Sequence, residues 1–361
     1  MSFSEEKREA IKRYMLEKIR NDDEKYIVKT AESFGISVTS VKRYLKECLS
    51  DKIIIEDSNF QTGYRMFTLE KEFSYIRTEV LPEDKVFYDD IFPLLTHIPR
   101  QTQNIWSYAF MEMMNNALEH SQAEHIICRV KQDYLFTEIS VTDDGIGIFK
   151  NIRDSLCERI GRPADYQDAI VELYKGKFTT NRECHSGEGI FFTSKTMREF
   201  AIWSDDAIFS SGSFQKDQFV QSHLVAYYTR LKKIGTMVVM KLENETKRSL
   251  KEVFDMFSSV EKGFVKTIIP VKEVCPYGEP IARSQARRIL YRLEEFKVVE
   301  FDFSGVDFMG QGFADEVFRV FQNKYPDIKI KPVNANEDIL RMVNHVRANL
   351  RKKQVVESEN V

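Results

Sequence analysis

The chain has 361 residues, 42% of them hydrophobic and 30% charged, with a net charge of −3. That length suits two or three domains with their own cores, and the near-neutral balance excludes a global electrostatic pull toward nucleic acid, leaving only local patches. No apolar run approaches the ~20 residues of a bilayer span, the first residues lack a signal peptide's apolar core, and five scattered cysteines without a CxxC pair fit a reducing cytoplasm and argue against structural zinc.

Residues 5–20 carry Ile11, Met15, Leu16 and Ile19 at helical spacing. A second helix, near 24–34, stops at Gly35, which suits a left-handed cap. Ser37 is placed to cap a third, 38–49, with Val41, Leu45 and Cys48 inward and Thr39, Ser40, Lys42, Arg43 and Lys46 outward. Ile53-Ile54-Ile55 and Tyr64–Thr68, joined through Gly63, read as a hairpin. Over residues 1–70 this order resembles a winged helix-turn-helix. The resemblance implies DNA contacts from Lys42, Arg43 and Lys46 on the recognition helix and from Arg65 on the wing. Acidic and basic residues are in rough balance here, so a protein-binding winged helix is the alternative.

Residues 71–95, punctuated by Pro82 and Pro93, read as a connector with one short helix. The helix that follows, 102–120, carries the densest chemistry. Glu112, Asn116 and His120 are four apart and share a face, while Ala109, Phe110, Met113, Met114, Ala117 and Leu118 suit a buried one. An amide oxygen is a hard ligand for Mg²⁺, and a carboxylate one turn away can orient or deprotonate a water near a γ-phosphate. Strands at 125–131 and 135–142 lead into Thr142-Asp143-Asp144-Gly145-Ile146-Gly147-Ile148. A carboxylate ending a strand there can accept the amino hydrogens of adenine. The span 149–186 reads as loop and short helix, with Lys175, Lys177 and Arg182 more suited to solvent than to phosphate. Ser186-Gly187-Glu188-Gly189 opens a helix whose backbone amides make a phosphate cradle. Further strands are expected at 200–204, 207–210 and 219–226, and a last one begins at Gly235-Thr236. Cys184 and His185 adjoin the glycine pair, but two residues make no metal site.

These four boxes, in this order over 96–245, resemble the GHKL ATPase superfamily. The resemblance implies an α/β sandwich of the Bergerat type that binds Mg-ATP. By it, Asn116 ligates Mg²⁺, Glu112 is the catalytic carboxylate, and Asp143 reads adenine with support from Thr236. Gly145 and Gly147 shape the base pocket, and Gly187 and Gly189 approach the phosphates beneath a mobile lid spanning 150–186. Asn115 is expected to face solvent and His120 to be structural.

A linker helix near 246–262 precedes alternating strands and helices over 263–352, the pattern of a small α/β domain. Residues Phe301-Asp302-Phe303-Ser304-Gly305 through Glu316 resemble a STAS-like domain. Where the anti-sigma-factor antagonists of that fold carry a phosphorylatable serine, this chain has Gly310-Gln311-Gly312, with no hydroxyl. The tail, 353–361, reads as polar and disordered. The whole is an α+β chain expected to act as a cytoplasmic ATP-binding regulator with slow hydrolysis, DNA and a protein as further partners, and a homodimer as one assembly. An anti-sigma-type protein serine/threonine kinase and a non-enzymatic ATP sensor are the alternatives.

Overall fold

A computed structural model describes residues 3–79, 82–161, 163–178, 187–205, 207–212, 235–259, 261, 263–275 and 279–358. The expected strand at 219–226, Arg182, and the Cys184–His185 pair lie outside them.

The chain is mixed α+β. Three helices open it: α1 (Glu5–Arg20), α2 (Tyr26–Phe34) and α3 (Val38–Ser50). Ser37 Oγ accepts from the Ser40 N–H at 3.1 Å, and Gly35 ends α2 in the left-handed conformation. Strands β1 (Ile54–Glu56) and β2 (Tyr64–Met66) pair antiparallel. Ile11, Met15, Val41, Tyr44 and Leu45 form a small core of their own. Leu135 and Phe136, from a turn more than eighty residues on, complete that core. Tyr134 donates to Glu9 at 2.6 Å, and Arg20 pairs with Asp133 at 3.0 Å. The first unit thus docks on that turn through α1, which leaves the outer face of α3 exposed.

The segment expected to be a connector is partly sheet. Strand β3 (Leu69–Ile76) runs antiparallel to β4 (His125–Gln132) and forms one edge of a six-stranded sheet. Its exposed rungs, Leu69, Glu70 and Lys71, hide the apolar alternation that would have revealed it, as is usual for a charged edge strand. Helical turns α4 (Glu83–Val86), a wider π-type turn (Phe87–Ile91) and α5 (Phe92–Leu95) then bury Val86, Phe87, Ile91 and Leu95.

The sheet order is β3-β4-β5-β8-β6-β7, with β5 (Phe136–Asp143), β6 (Glu199–Ser204), β7 (Ala207–Gly212) and β8 (Thr236–Glu243), all antiparallel. Helix α6 (Arg100–His120) lays Ile105, Trp106, Ala109, Phe110, Met113 and Met114 into the core. Arg77, just after β3, donates to the Leu118 and Ala123 carbonyls and so satisfies the helix's C-terminal end. Within the span read as loop and short helix, the described residues form two helices, α7 (Ile148–Ile160) and α8 (Tyr166–Lys175), followed by α9 (Gly189–Thr196). Asp165 and Asp168 close a reciprocal capping box at the start of α8. That helix is buried on nearly every side, so it is a wall and not a free lid.

Helix α10 (Leu250–Phe257) leads through the short β9 (Ser258–Ser259) and β10 (Gly263–Phe264) to a second sheet. Strands β11 (Lys266–Pro270), β12 (Val298–Asp302) and β13 (Lys329–Val333) are parallel, in that order. Around them lie α11 (Val271–Val274), α12 (Arg283–Leu290), the helical run of α13 (Gln311–Asp315), a π-type segment (Glu316–Phe321) and α14 (Gln322–Lys324), and finally α15 (Glu337–Ser358). Helix α15 continues through Ser358, so most of the tail expected to be disordered is helical. One continuous apolar core joins this domain to the six-stranded sheet, with Phe191, Phe192, Phe257, Phe264 and Phe296 in ring contact across the junction. Among the described residues no helix is long and apolar enough to cross a membrane.

Candidate functional site

One cavity of about 350 Å³ lies between α6, the end of β5, the start of α7, the end of α8 and the start of α9. Its volume falls in the range of small-molecule sites. The four-residue spacing on α6 carries Glu112, Asn116 and His120 to its edge. Asn115, expected to face solvent, lines it too, because the cavity is wide enough to meet two adjacent positions of the helix.

At the deep end sits Asp143, 4% exposed. Burial pushes its carboxyl up to about 7, against hydrogen bonds from the Gly145 N–H and from Thr236 that favour the charged form. The Gly145 N–H donates to Asp143 Oδ1 at 2.8 Å. Thr236 is opposite Asp143 in the β5–β8 ladder, and its hydroxyl accepts from the Ile148 N–H at 3.0 Å, which fixes the first turn of α7. The two therefore form one floor: a buried carboxyl and a hydroxyl facing each other across one rung of the ladder.

Each glycine has its own reason. Gly147 has φ +84°, and a β-carbon there would lie 2.7 Å from Ser204 Oγ. Gly145 does not line the cavity. It is pressed against the Ser121 carbonyl, and its absent side chain lets the turn return to the end of α6, where the Ile146 N–H donates to the same carbonyl at 2.8 Å. Gly187, with φ +72°, and Gly189 both line the cavity, and Gly189 sits against Glu112. Between them Glu188, also at the wall, has its carboxyl raised by burial, with the Lys177 ammonium acting against that shift.

Reading the sequence missed Asn151 and the α8 wall. Asn151 lines the cavity, and its N–H donates to the Gly147 carbonyl. Its position four residues beyond that glycine is the only signal that would have found it. From α8 and its exit come Glu172, Leu173, Gly176 and Phe178. Lys175 and Lys177, read as solvated, point away from the cavity. Lys175 is 2% exposed and bound to Glu172 at 2.6 Å, while Lys177 donates to the Glu295 carbonyl at 3.0 Å.

The outward residues of α3, Lys42, Arg43 and Lys46, are exposed, as is Arg65 on β2. Arg43 lies 3.8 Å from Glu47, and Arg65 is held by Asp57 at 3.0 Å. The Gly310-Gln311-Gly312 loop starts α13, where a β-carbon on Gly310 would meet the Ile281 backbone.

Among known proteins, residues 285–340 match the STAS-like domain of unknown function (DUF4325), so the C-terminal α/β unit is STAS-like. No curated protein matches the chain.

Proposed function

We propose that the chain is an ATP-binding regulator of the GHKL type, in which a nucleotide held at the cavity is linked to an N-terminal winged helix that binds DNA and to the STAS-like domain. The observation that carries this reading is the convergence of Asp143, Thr236, Asn116, Glu112, Gly187 and Gly189 on a single cavity from four separate stretches of sequence. Asp143 is a buried acceptor for an exocyclic amino group, which adenine has at the position where guanine presents a carbonyl oxygen. At the start of α9, glycines allow backbone amides to approach phosphate oxygens.

The donor set fits magnesium. No group of three or more His, Cys, Asp or Glu among the described residues could hold a metal alone, and Asn116 offers one hard oxygen, so the cation would be shared with phosphate oxygens. Bound that way, it would neutralise phosphate charge. Glu112, one turn from Asn116, is the base that would orient a water and take its proton, giving slow hydrolysis. Isothermal titration with ATP and GTP, each with and without Mg²⁺, tests the reading. Adenine selectivity and magnesium dependence are expected, and Glu112→Gln should bind ATP while losing turnover. Equal affinity for the two nucleotides, or none for either, overturns it.

A further inference from the structure

We infer that the STAS-like domain holds one wall of the cavity in place through Arg292, a positioning residue that sets how well the cavity takes its nucleotide. The inference rests on the proposed nucleotide site for its ligand, but its structural half stands independently of that reading.

Arg292 is 8% exposed and has φ +64°, a left-handed backbone that a long side chain rarely adopts. Its guanidinium uses all three nitrogens. Nη1 donates to Glu172 Oε2 at 2.9 Å, and Nη2 to the Lys177 carbonyl at 2.9 Å. Nε and Nη2 each donate to the Glu295 carboxylate at 2.8 Å. The Phe178 ring stands 5.5 Å from the guanidinium carbon. Glu172 and Phe178 are cavity-lining residues. One side chain of the STAS-like domain therefore grips the wall on both sides of Gly176.

The rest of α8 is tied the same way. Lys175 Nζ bridges Glu172 Oε1 and the Tyr291 carbonyl, at 2.6 and 2.5 Å. Thr267 on β11 donates to the Lys175 carbonyl at 3.0 Å, and Arg288 pairs with Asp168 in the first turn at 3.1 Å. Glu172 and Lys175 are 3% and 2% exposed. Charges so buried have no water to fall back on, so the wall cannot slide by degrees: it is docked with its partners or it is released. If only the docked wall completes the cavity, apparent affinity falls by the fraction of molecules that are docked. By reciprocity, nucleotide would tighten the docking of the STAS-like domain, so that anything engaging that domain reads or sets the state of the cavity.

The experiment uses the full chain with Arg292→Met and Arg292→Lys, and Arg288→Met as a milder variant on a less buried residue. Hydrogen exchange in residues 166–178 is measured without nucleotide, and ATP affinity is measured by titration. Expected are amide exchange at least tenfold faster in this stretch for Arg292→Met, with α6 and β5 unchanged, and ATP binding about tenfold weaker. Arg292→Lys, which cannot reach all the acceptors at once, should fall between, and Arg288→Met should show the smaller change in both. Unchanged exchange in folded variants overturns the inference, and so does faster exchange with unaltered affinity. Faster local exchange in a chain that binds no ATP at all would keep the positioning role and remove the nucleotide reading.

Discussion

Gly189 and Glu112 meet so closely that no side chain fits between them: a β-carbon on Gly189 would fall inside the van der Waals envelope of Glu112 Oε2. The start of α9 therefore packs against the polar face of α6 only because the residue there is glycine. The contact is with the end of a flexible side chain, which can swing aside.

That distinction gives the first prediction. Gly189→Ala should cost only about 1 kcal/mol of stability, because Glu112 can rotate away, but should displace the carboxylate and reduce ATP turnover at least tenfold. Gly145→Ala meets the Ser121 backbone carbonyl, which cannot rotate away, and should cost 3 kcal/mol or more on the order of severe overpacking. Thermal melts and turnover assays on both variants check this. Equal melting losses would show that the two glycines are constrained alike.

Asp143 leads to a pH dependence. Its folded carboxyl is raised to about 7 from an ordinary 3.8, so the folded state holds its proton more tightly than the unfolded chain. Stability from this group is therefore greatest below pH 4 and is lost as pH rises toward 7. Asp143→Asn keeps an acceptor for the Gly145 N–H and removes that loss. The unliganded variant should be more stable than wild type at pH 8, by on the order of a few kcal/mol, yet bind ATP at least tenfold less well. Wild-type affinity should rise as pH passes through 7, as the carboxylate becomes the acceptor adenine needs. Melting curves at pH 5 and 8 and titrations over the same range decide it; a variant that is less stable at pH 8 would contradict the argument.

How much of this was legible depends on the distance between the partners. The Ser37 cap, the Gly35 stop and the shared face of Glu112 and Asn116 are local relationships, and the chain adopts them as read. Strand β3 was not legible, because its exposed edge erases the period of two. The α8 wall was hidden for a different reason. Glu172, Lys175 and Lys177 look like solvated helix charges until Arg292, some 120 residues on, is brought against them. No pattern within α8 announces a partner that far away.

Lys175 tests that buried network directly. Replacing it with Met leaves Glu172 with half its compensation and the Tyr291 carbonyl without its donor, so the loss should be about 3 kcal/mol. Adding Glu172→Gln removes the stranded charge, and the double variant should recover part of the loss, although Arg292 keeps Glu295 as its partner. Denaturant unfolding of the two single variants and the double gives the coupling. Strictly additive losses would mean that the pair is not coupled.

The last prediction concerns the N-terminal unit. Helix α1 is committed to the 133–136 turn through Glu9, Arg20 and the ring of Phe136, which Arg20 covers at 4.2 Å. Helix α3 keeps Lys42, Arg43 and Lys46 exposed, with Glu47 3.8 Å from Arg43 and the Tyr44 ring 5.2 Å from its guanidinium carbon. If this face binds DNA, its phosphate contacts release counterions, and affinity should fall steeply with salt. Lys42→Ala with Arg43→Ala should lower the slope of log K against log salt by about 2. Arg65 must first leave Asp57, so Arg65→Ala should change affinity less than either α3 variant alone. Fluorescence anisotropy at several salt concentrations, with and without Mg-ATP, measures each of these. Binding that is absent, or indifferent to Lys42 and Arg43, would reassign α3 to a protein partner, because its exposed basic residues would then have no phosphate to meet.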